Sequence, residues 1–165
     1  MDGPLKNLLV VDLTRVLVGP YCTMMLSDMG ARVIKVEAPG IGDDSRKFGP
    51  FVKDNSAYFM SLNRGKESIA LNLKDEEDKK IFLNVLSKAD ILVENFKPGT
   101  LEKWGFGWKD MCKKFPKLIY ASASGFGQTG PLKELPAYDM VVQGMGGLMS
   151  VTGQPNSEPT RVGTS

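Results

Sequence analysis

Short apolar runs alternate with amphipathic stretches along most of the chain. Asn7 to Asp12 (NLLVVD) is the first run, and Pro20, heading the next apolar segment, supplies the fixed φ suited to a first helical position. Gly30 stands where a C′ residue would close that helix. Ala31 to Glu37 (ARVIKVE) predicts a second strand, ended by the turn-forming stretch APGIGDD. The pattern then recurs. Glu67 to Leu73 (ESIALNL) reads as a strand, and Asp75, Glu76 and Glu77 favour a helix N-terminus through the macrodipole. In that helix Ile81, Phe82, Val85 and Leu86 form one stripe of a 3.6-residue period, a face suited to covering a sheet. Ile91 to Glu94 (ILVE) is a further strand, followed by the turn NFKPG, a short helix Thr100 to Trp104 stopped by Gly105, and a second helix Trp108 to Phe115. Leu118 to Ser122 (LIYAS) is the fifth strand.

A long loop, GFGQTGPLKELP, leads to a helix over Ala137 to Met149, weakened by Gly144, Gly146 and Gly147 at up to about 1 kcal/mol each relative to Ala. Strands alternating with helices imply an α/β fold, a doubly wound, mostly parallel Rossmann-like sheet, because right-handed crossovers place helices on both faces. Residues 1–150 are expected to belong to that domain and 151–165 to an open C-terminal segment whose only apolar residues are two valines. The tail is either a disordered terminus or a chain that stops mid-domain.

Composition narrows the function classes. At 42% apolar and 24% charged residues over 165 positions, the chain can bury a core. Lys+Arg 21 against Asp+Glu 19 gives +2, too near balance for a nucleic-acid module. No apolar run approaches the roughly 18 residues of a membrane span, and the start lacks the layout of a signal peptide, so a cytoplasmic location is expected. Cys22 and Cys112 are too few for a disulfide framework and too far apart for a metal pair. The absence of histidine removes the Ser-His-Asp triad, the Cys-His pair and the HExxH zinc site together. Catalysis must use carboxylates, lysines, hydroxyls or backbone amides, and no metal is expected.

Ligands of an open parallel sheet bind outside the carboxyl ends of its strands. The segments leaving those ends carry Arg15, Lys74, Lys97 and Lys103 as cations for phosphate, Phe96 as a packing face, and Asn72 and Asn95 as two-way hydrogen bonders. Six lysines between Lys97 and Lys117, against Glu102 and Asp110, make a local +4 that could hold phosphates or be a solvated face. No GxGxxG follows the first strand and no Walker A sequence is present. The glycines of GFGQTGP form either a flexible turn or a phosphate cradle. Cys22, without a nearby base, reads as a small core residue, and Met24, Met25 and Met29 as core packing. Tyr138 and Asp139 are an acid and hydroxyl doublet or the N-terminal cap of the last helix.

The segments VVDLTRVLVGPYCTMML, DMGARVIKVEAPGIGDDSR, NRGKESIALNLK, ADILVENFKPGTLEKWGF, LIYASASGFGQTGP, PAYDMVVQGMGGLMSVTG and PTRVGTS, in this order, resemble the class III CoA-transferases, the superfamily of formyl-CoA transferase, carnitine CoA-transferase and α-methylacyl-CoA racemase. The resemblance covers nearly the whole chain. It implies transfer of CoA from an acyl-CoA to a small, possibly dicarboxylic, acid through a covalent aspartyl intermediate. It also implies coenzyme A contacts at Val16, Leu17, Leu71, Asn72, Leu73, Lys74, Asn95, Phe96, Lys97, Lys103, Ala137 and Tyr138. Homodimers are implied for the full-length protein, with acyl-CoA and a carboxylic acid as its partners.

Three departures from the family pattern modify these expectations. The family's nucleophilic aspartate follows a stretch like RVGTS, so this chain is expected to be an N-terminal portion without the nucleophile, inactive alone. Leu17 stands where formyl-CoA transferases carry glutamine, which argues against oxalate as acceptor; Ala38 stands where an arginine often meets the nucleotide, leaving Arg46 or Lys97 to supply that charge. Where the racemase branch has histidine this chain has Tyr138, a poor two-way proton carrier at neutral pH, which favours transferase over racemase. A non-catalytic assembly or CoA-binding module is the alternative of a different class.

Overall fold

The computed structural model describes residues 3–163, and their contacts divide the chain into two compact units that meet between Ala123 and Ser124. The first unit runs β1 (Leu9–Asp12), α1 (Val18–Asp28), β2 (Arg32–Glu37), β3 (Phe51–Val52), β4 (Asn55–Ser56), α2 (Ala57–Asn63), β5 (Glu67–Ala70), α3 (Glu76–Leu86), β6 (Ile91–Glu94), α4 (Thr100–Trp104), α5 (Trp108–Lys114) and β7 (Ile119–Ser122). The second contains α6 (Asp139–Met145) and a 3₁₀ turn, Leu148–Val151.

Five strands form one parallel sheet in the order β5-β2-β1-β6-β7, with a separate antiparallel pair β3-β4. The chain moves outward from β1 to β2 and later returns to place β6 on the other side of β1, so β1 marks a topological switch point. Adjacent side chains of β1 feed opposite layers, as a period of two requires. Val11 joins Leu92, Phe82, Leu86, Leu101 and Met111 in the layer under α3, α4 and α5. Val10 joins Val33, Val93 and, from α1, Leu26 in the other. The sheet is therefore covered on both faces, which is why its central strands read as continuous apolar runs.

The terminators behave as their chemistry requires. Gly30, at φ +98°, donates its N–H to Ser27 O while Ala31 donates to Leu26 O, the paired bonds of a Schellman closure. Asp75 caps α3 by accepting from the N–H groups of Glu77 and Asp78. Pro20 is the third residue of α1 rather than the first, a place still free of intrahelical N–H demand.

Three expectations need correction. Cys22, Met25 and Met29 are exposed, not core, although Met24 is buried. The cause is steric: α1 turns Gly19, Thr23 and Ser27 to the sheet, and a Cβ on Gly19 would lie 2.2 Å from Thr14 Cβ. In α3, Phe82 and Leu86 are buried but Ile81 lies outside the contact stripe at 46% exposure. The stretch 44–63 was without predicted elements, yet holds a 3₁₀ turn Asp44–Lys47, the β3-β4 hairpin and α2. Lys53 and Asp54, at φ +49° and +64°, make the tight hairpin turn, and Ser56 caps α2 through Phe59 N–H.

At the end of β2, Glu37 fixes the loop that follows. Its carboxylate accepts from Arg46 Nε at 2.8 Å, from Ser68 Oγ at 2.6 Å and from Asp43 N–H at 2.9 Å. Burial, the largest single influence, pushes its pKa up, but the bonds from Arg46, Ser68 and Asp43 together outweigh it and bring the value down to about 2.

Truncating Phe82, fully buried and edge-on to Phe106 at 4.8 Å, is expected to cost about 3–5 kcal/mol in a denaturant titration of Phe82→Ala. Glu37 should stabilise the fold above its ordinary pKa of 4.5 and lose that contribution as pH falls toward about 2, a change on the order of 3 kcal/mol. Melting curves between pH 6 and 2 should therefore show the advantage over Glu37→Gln shrinking on acidification; a difference independent of pH would contradict this account.

Candidate functional site

The loops leaving β1, β2, β5 and β6 converge, within the first unit, on a cavity of about 440 Å³. Its wall includes Leu13 to Arg15 after β1, Ala38, Pro39 and Ile41 to Asp43 after β2, Leu71 to Lys74 after β5, and Phe96 and Trp104 beyond β6. Side chains, not a backbone ladder, hold the loop after β1. Thr14 N–H donates to Asp12 Oδ1 at 2.8 Å, Arg15 N–H to Asn95 Oδ1 at 2.8 Å, and Val16 N–H to Asp43 Oδ1 at 3.2 Å. The carbonyls are held likewise, Thr14 O by Lys35 Nζ at 2.7 Å and Arg15 O by Asn95 Nδ2 at 2.8 Å. Side chains from β1, β2, the loop after β2 and the residue after β6 thus fix three consecutive residues.

Beneath this loop lies a buried charged network. Asp12, Lys35, Asp43 and Lys66 all have side chains no more than 2% exposed. Lys35 Nζ lies 2.9 Å from Asp43 Oδ2, and Lys66 Nζ lies 3.0 Å from Asp12 Oδ2. Lys66 also donates to Pro20 O and Asn63 Oδ1, and Thr23 Oγ1 completes the shell of Asp12. Desolvation lowers the pKa of Lys66 despite the Asp12 charge beside it. For Asp43, burial pushes upward, but the Lys35 charge and the two bonds from Ser45 prevail and hold the carboxyl below its ordinary range. Glu94, at the end of β6, is raised by burial even though Ser122 Oγ and Phe96 N–H bond to it.

The network holds Val16 in a left-handed conformation, φ +68°, which costs an L-residue about 1–2 kcal/mol. Above it the cavity presents two cations on aromatic faces. The Arg15 guanidinium lies 5.3 Å from the Phe96 ring centre with Nη1 3.2 Å from Asp44, and Lys74 Nζ lies 6.0 Å from that of Trp104. Phosphate oxygens, a stacked ring and an apolar chain all find partners in such a lining.

Of the residues expected from sequence, Arg15, Leu71, Asn72, Leu73, Lys74 and Phe96 line this cavity together. Asn95 adjoins it but directs both amide atoms to Arg15. Asn72 accepts the Lys74 N–H at 3.2 Å and so shapes its own turn. Leu17 is the N-cap residue of α1. Lys97 and Lys103, on the turn before α4 and within α4, are not lining residues. Of the lysine group, Lys109, Lys113, Lys114 and Lys117 are exposed, as a solvated face would be. Arg46, considered as a substitute cation opposite Ala38, is bound to Glu37 and lies 3.8 Å over the Phe59 ring. In the second unit, Ala137 packs on Gly125, where an added Cβ would meet it at 1.8 Å. Tyr138 is the N-cap residue of α6 without a side-chain cap bond, and Asp139 accepts from Gln143 Nε2 at 2.7 Å.

Sequence reasoning missed Asp12, Lys35, Asp43, Lys66 and Trp104. One signal was available: Lys35 interrupts an apolar strand (VIKVE) that a parallel sheet buries on both faces, and a charge there must have a partner. Among the described residues no helix is long and apolar enough to cross a membrane.

Comparison with known proteins bears on the family. The description of CoA-transferase family III matches residues 5–165. An acetyl-CoA:oxalate CoA-transferase of Acetobacter aceti is 59% identical over 161 residues, covering 98% of this chain and 41% of that protein. The succinyl-CoA:glutarate CoA-transferase of Homo sapiens is 47% identical over 163 residues, covering 98% of this chain and 37% of its own length. A crystal structure of a CAIB/BAIF family protein from Brucella suis superposes with a TM-score of 0.93 at 44% identity, covering 99% of this chain and 44% of that one. The chain thus spans about two fifths of the length of these relatives. With a family match over residues 5–165 and that superposition, the chain belongs to CoA-transferase family III.

Proposed function

We propose that this chain supplies the acyl-CoA cradle of an enzyme that transfers CoA between small carboxylic acids. The single observation that carries the reading is the convergence of four strand-exit loops on one cavity with Arg15, Lys74, Phe96 and Trp104 in its wall. Val16, Leu17, Leu71 to Lys74, Asn95 to Lys97 and Lys103 are taken as the CoA-contacting residues of the first unit. Relatives named for oxalate, glutarate and mesaconate support a small dicarboxylic acceptor, and the 59% identity to an acetyl-CoA:oxalate CoA-transferase weighs against the expectation that Leu17 excludes oxalate. The dimer and the cytoplasmic location expected from the sequence belong to this proposal for the whole enzyme.

The chemistry we infer is carboxylate nucleophilic catalysis, with the attacking aspartate C-terminal to RVGTS. Its oxygen attacks the thioester carbonyl and expels CoA thiolate, leaving a mixed anhydride. Thiolate then attacks the aspartyl carbonyl, releasing the donor acid and forming an enzyme thioester. The acceptor carboxylate displaces the thiolate to give a second anhydride, and thiolate attacks its acceptor carbonyl, yielding the new acyl-CoA and free aspartate. Over the cycle no proton or electron is left over. The residues described here bind and orient the nucleotide and pantetheine while the thiolate departs and returns.

Isothermal titration should show CoA binding to the protein, weakened about tenfold by Lys74→Ala through loss of one charge-assisted contact. Absence of measurable binding at millimolar CoA, or a Lys74→Ala variant that binds like the parent, would overturn this reading.

A further inference from the structure

Of the four described non-glycine residues at positive φ, Val16 alone is β-branched, the side-chain type least suited to that region. Lys53 and Asp54 belong to a hairpin turn, but Val16 stands where the loop after β1 leaves the cavity wall and becomes α1. A strained residue persists only where its surroundings over-determine it. Here the determinant is Asp43, whose side chain is fully buried. Its Oδ1 accepts from Val16 N–H at 3.2 Å and from Ser45 N–H and Oγ at 2.9 and 2.7 Å, while Oδ2 faces Lys35 Nζ at 2.9 Å. One carboxylate thus joins the loop after β1 to the loop after β2, two segments that both contribute to the cavity wall.

We propose that Asp43 is a positioning residue for acyl-CoA: it holds the Val16 amide so that the loop after β1 keeps its left-handed turn, and ligand affinity depends on it through Val16. The inference rests on the CoA-transferase reading above. Without the clamp, a valine relaxes out of the left-handed region, and the apparent affinity falls by the fraction of molecules that keep the competent loop. A glycine at the same position adopts that conformation without steric cost and has little need of the clamp. A carboxylate that served only as the counter-ion of Lys35 would show no such dependence on residue 16.

The test is a double-substitution cycle read by calorimetric titration with CoA, with melting temperatures in parallel. Asp43→Asn should weaken CoA binding about tenfold in the parent and less than about threefold in the Val16→Gly background, while its effect on melting is the same in both. Asp43→Glu, which keeps a charge for Lys35 but displaces the oxygen from the Val16 amide, should show the same pattern and serves if Asp43→Asn does not fold. Equal weakening in both backgrounds, or none in the parent, would overturn the positioning role while leaving the CoA reading intact. A parent protein that binds no CoA would instead remove that reading, and the positioning role with it.

Discussion

Asp12 at the end of β1, Lys35 in β2, Asp43 in the loop after β2 and Lys66 just before β5 lie almost without solvent contact, and the geometry of the cavity depends on their pairing. An ion removed from water without compensation costs several kcal/mol, so each member must find partners. Lys66 finds three, Asp12 is met by Lys66, Thr14 and Thr23, and Asp43 and Lys35 meet each other. Removing any one would strand its partner, at about 3–5 kcal/mol for a broken buried pair. The requirement is geometric as well as energetic. Because the partners come from β1, β2, α1 and the segment before β5, satisfying the charges brings those segments together.

The same network explains why the loop after β1 can be irregular and still ordered. A backbone ladder holds a strand only while it stays extended, whereas residues 14–16 leave the sheet and turn. Their amides are taken by Asp12 at the end of β1, Asn95 just after β6 and Asp43 in the loop after β2. Buried polar groups must be satisfied, and here that obligation is met by side chains whose own positions are fixed by strands. Regular structure therefore locates the donors and acceptors, and they in turn locate the irregular segment.

Much of the fold was legible from periodicity because the central strands are apolar on both faces and their terminators are chemically distinct. β6 was read residue for residue, Gly30 closes α1 as expected, and Asp75 marks the start of α3, as its cap rather than as a first-turn acid. The helix α1 misled because its apolar residues were assigned to the core by composition. Close approach to the sheet instead required Gly19, Thr23 and Ser27, and it left Val18, Tyr21, Met25 and Met29 exposed. The hairpin and α2 carried too few residues for any period to show, and two-residue strands give no alternation to count. At the site, the loops were found by the rule for open sheets, and six of the expected residues share one cavity. The buried partners escaped notice because a lysine in a sequence looks solvated until its strand is known to be central.

The lining also separates two tasks that the sequence had merged under the heading of polar residues. Asn95 and Arg46 looked like ligand groups, yet their hydrogen-bonding atoms serve Arg15 and Glu37 within the protein. Arg15 and Lys74 keep their charged ends over aromatic rings at the cavity, where a guanidinium or ammonium retains capacity for an anion. Arg46 also rests on a ring, but its guanidinium is bonded to the buried Glu37 carboxylate, whereas Arg15 meets only the exposed Asp44 and Lys74 lies over Trp104 at the cavity wall. The chemistry offered to a ligand can therefore change at Arg15 or Lys74 without disturbing the buried pairs, whereas a change at Asn95 or Asp43 alters the surface on which every contact is built.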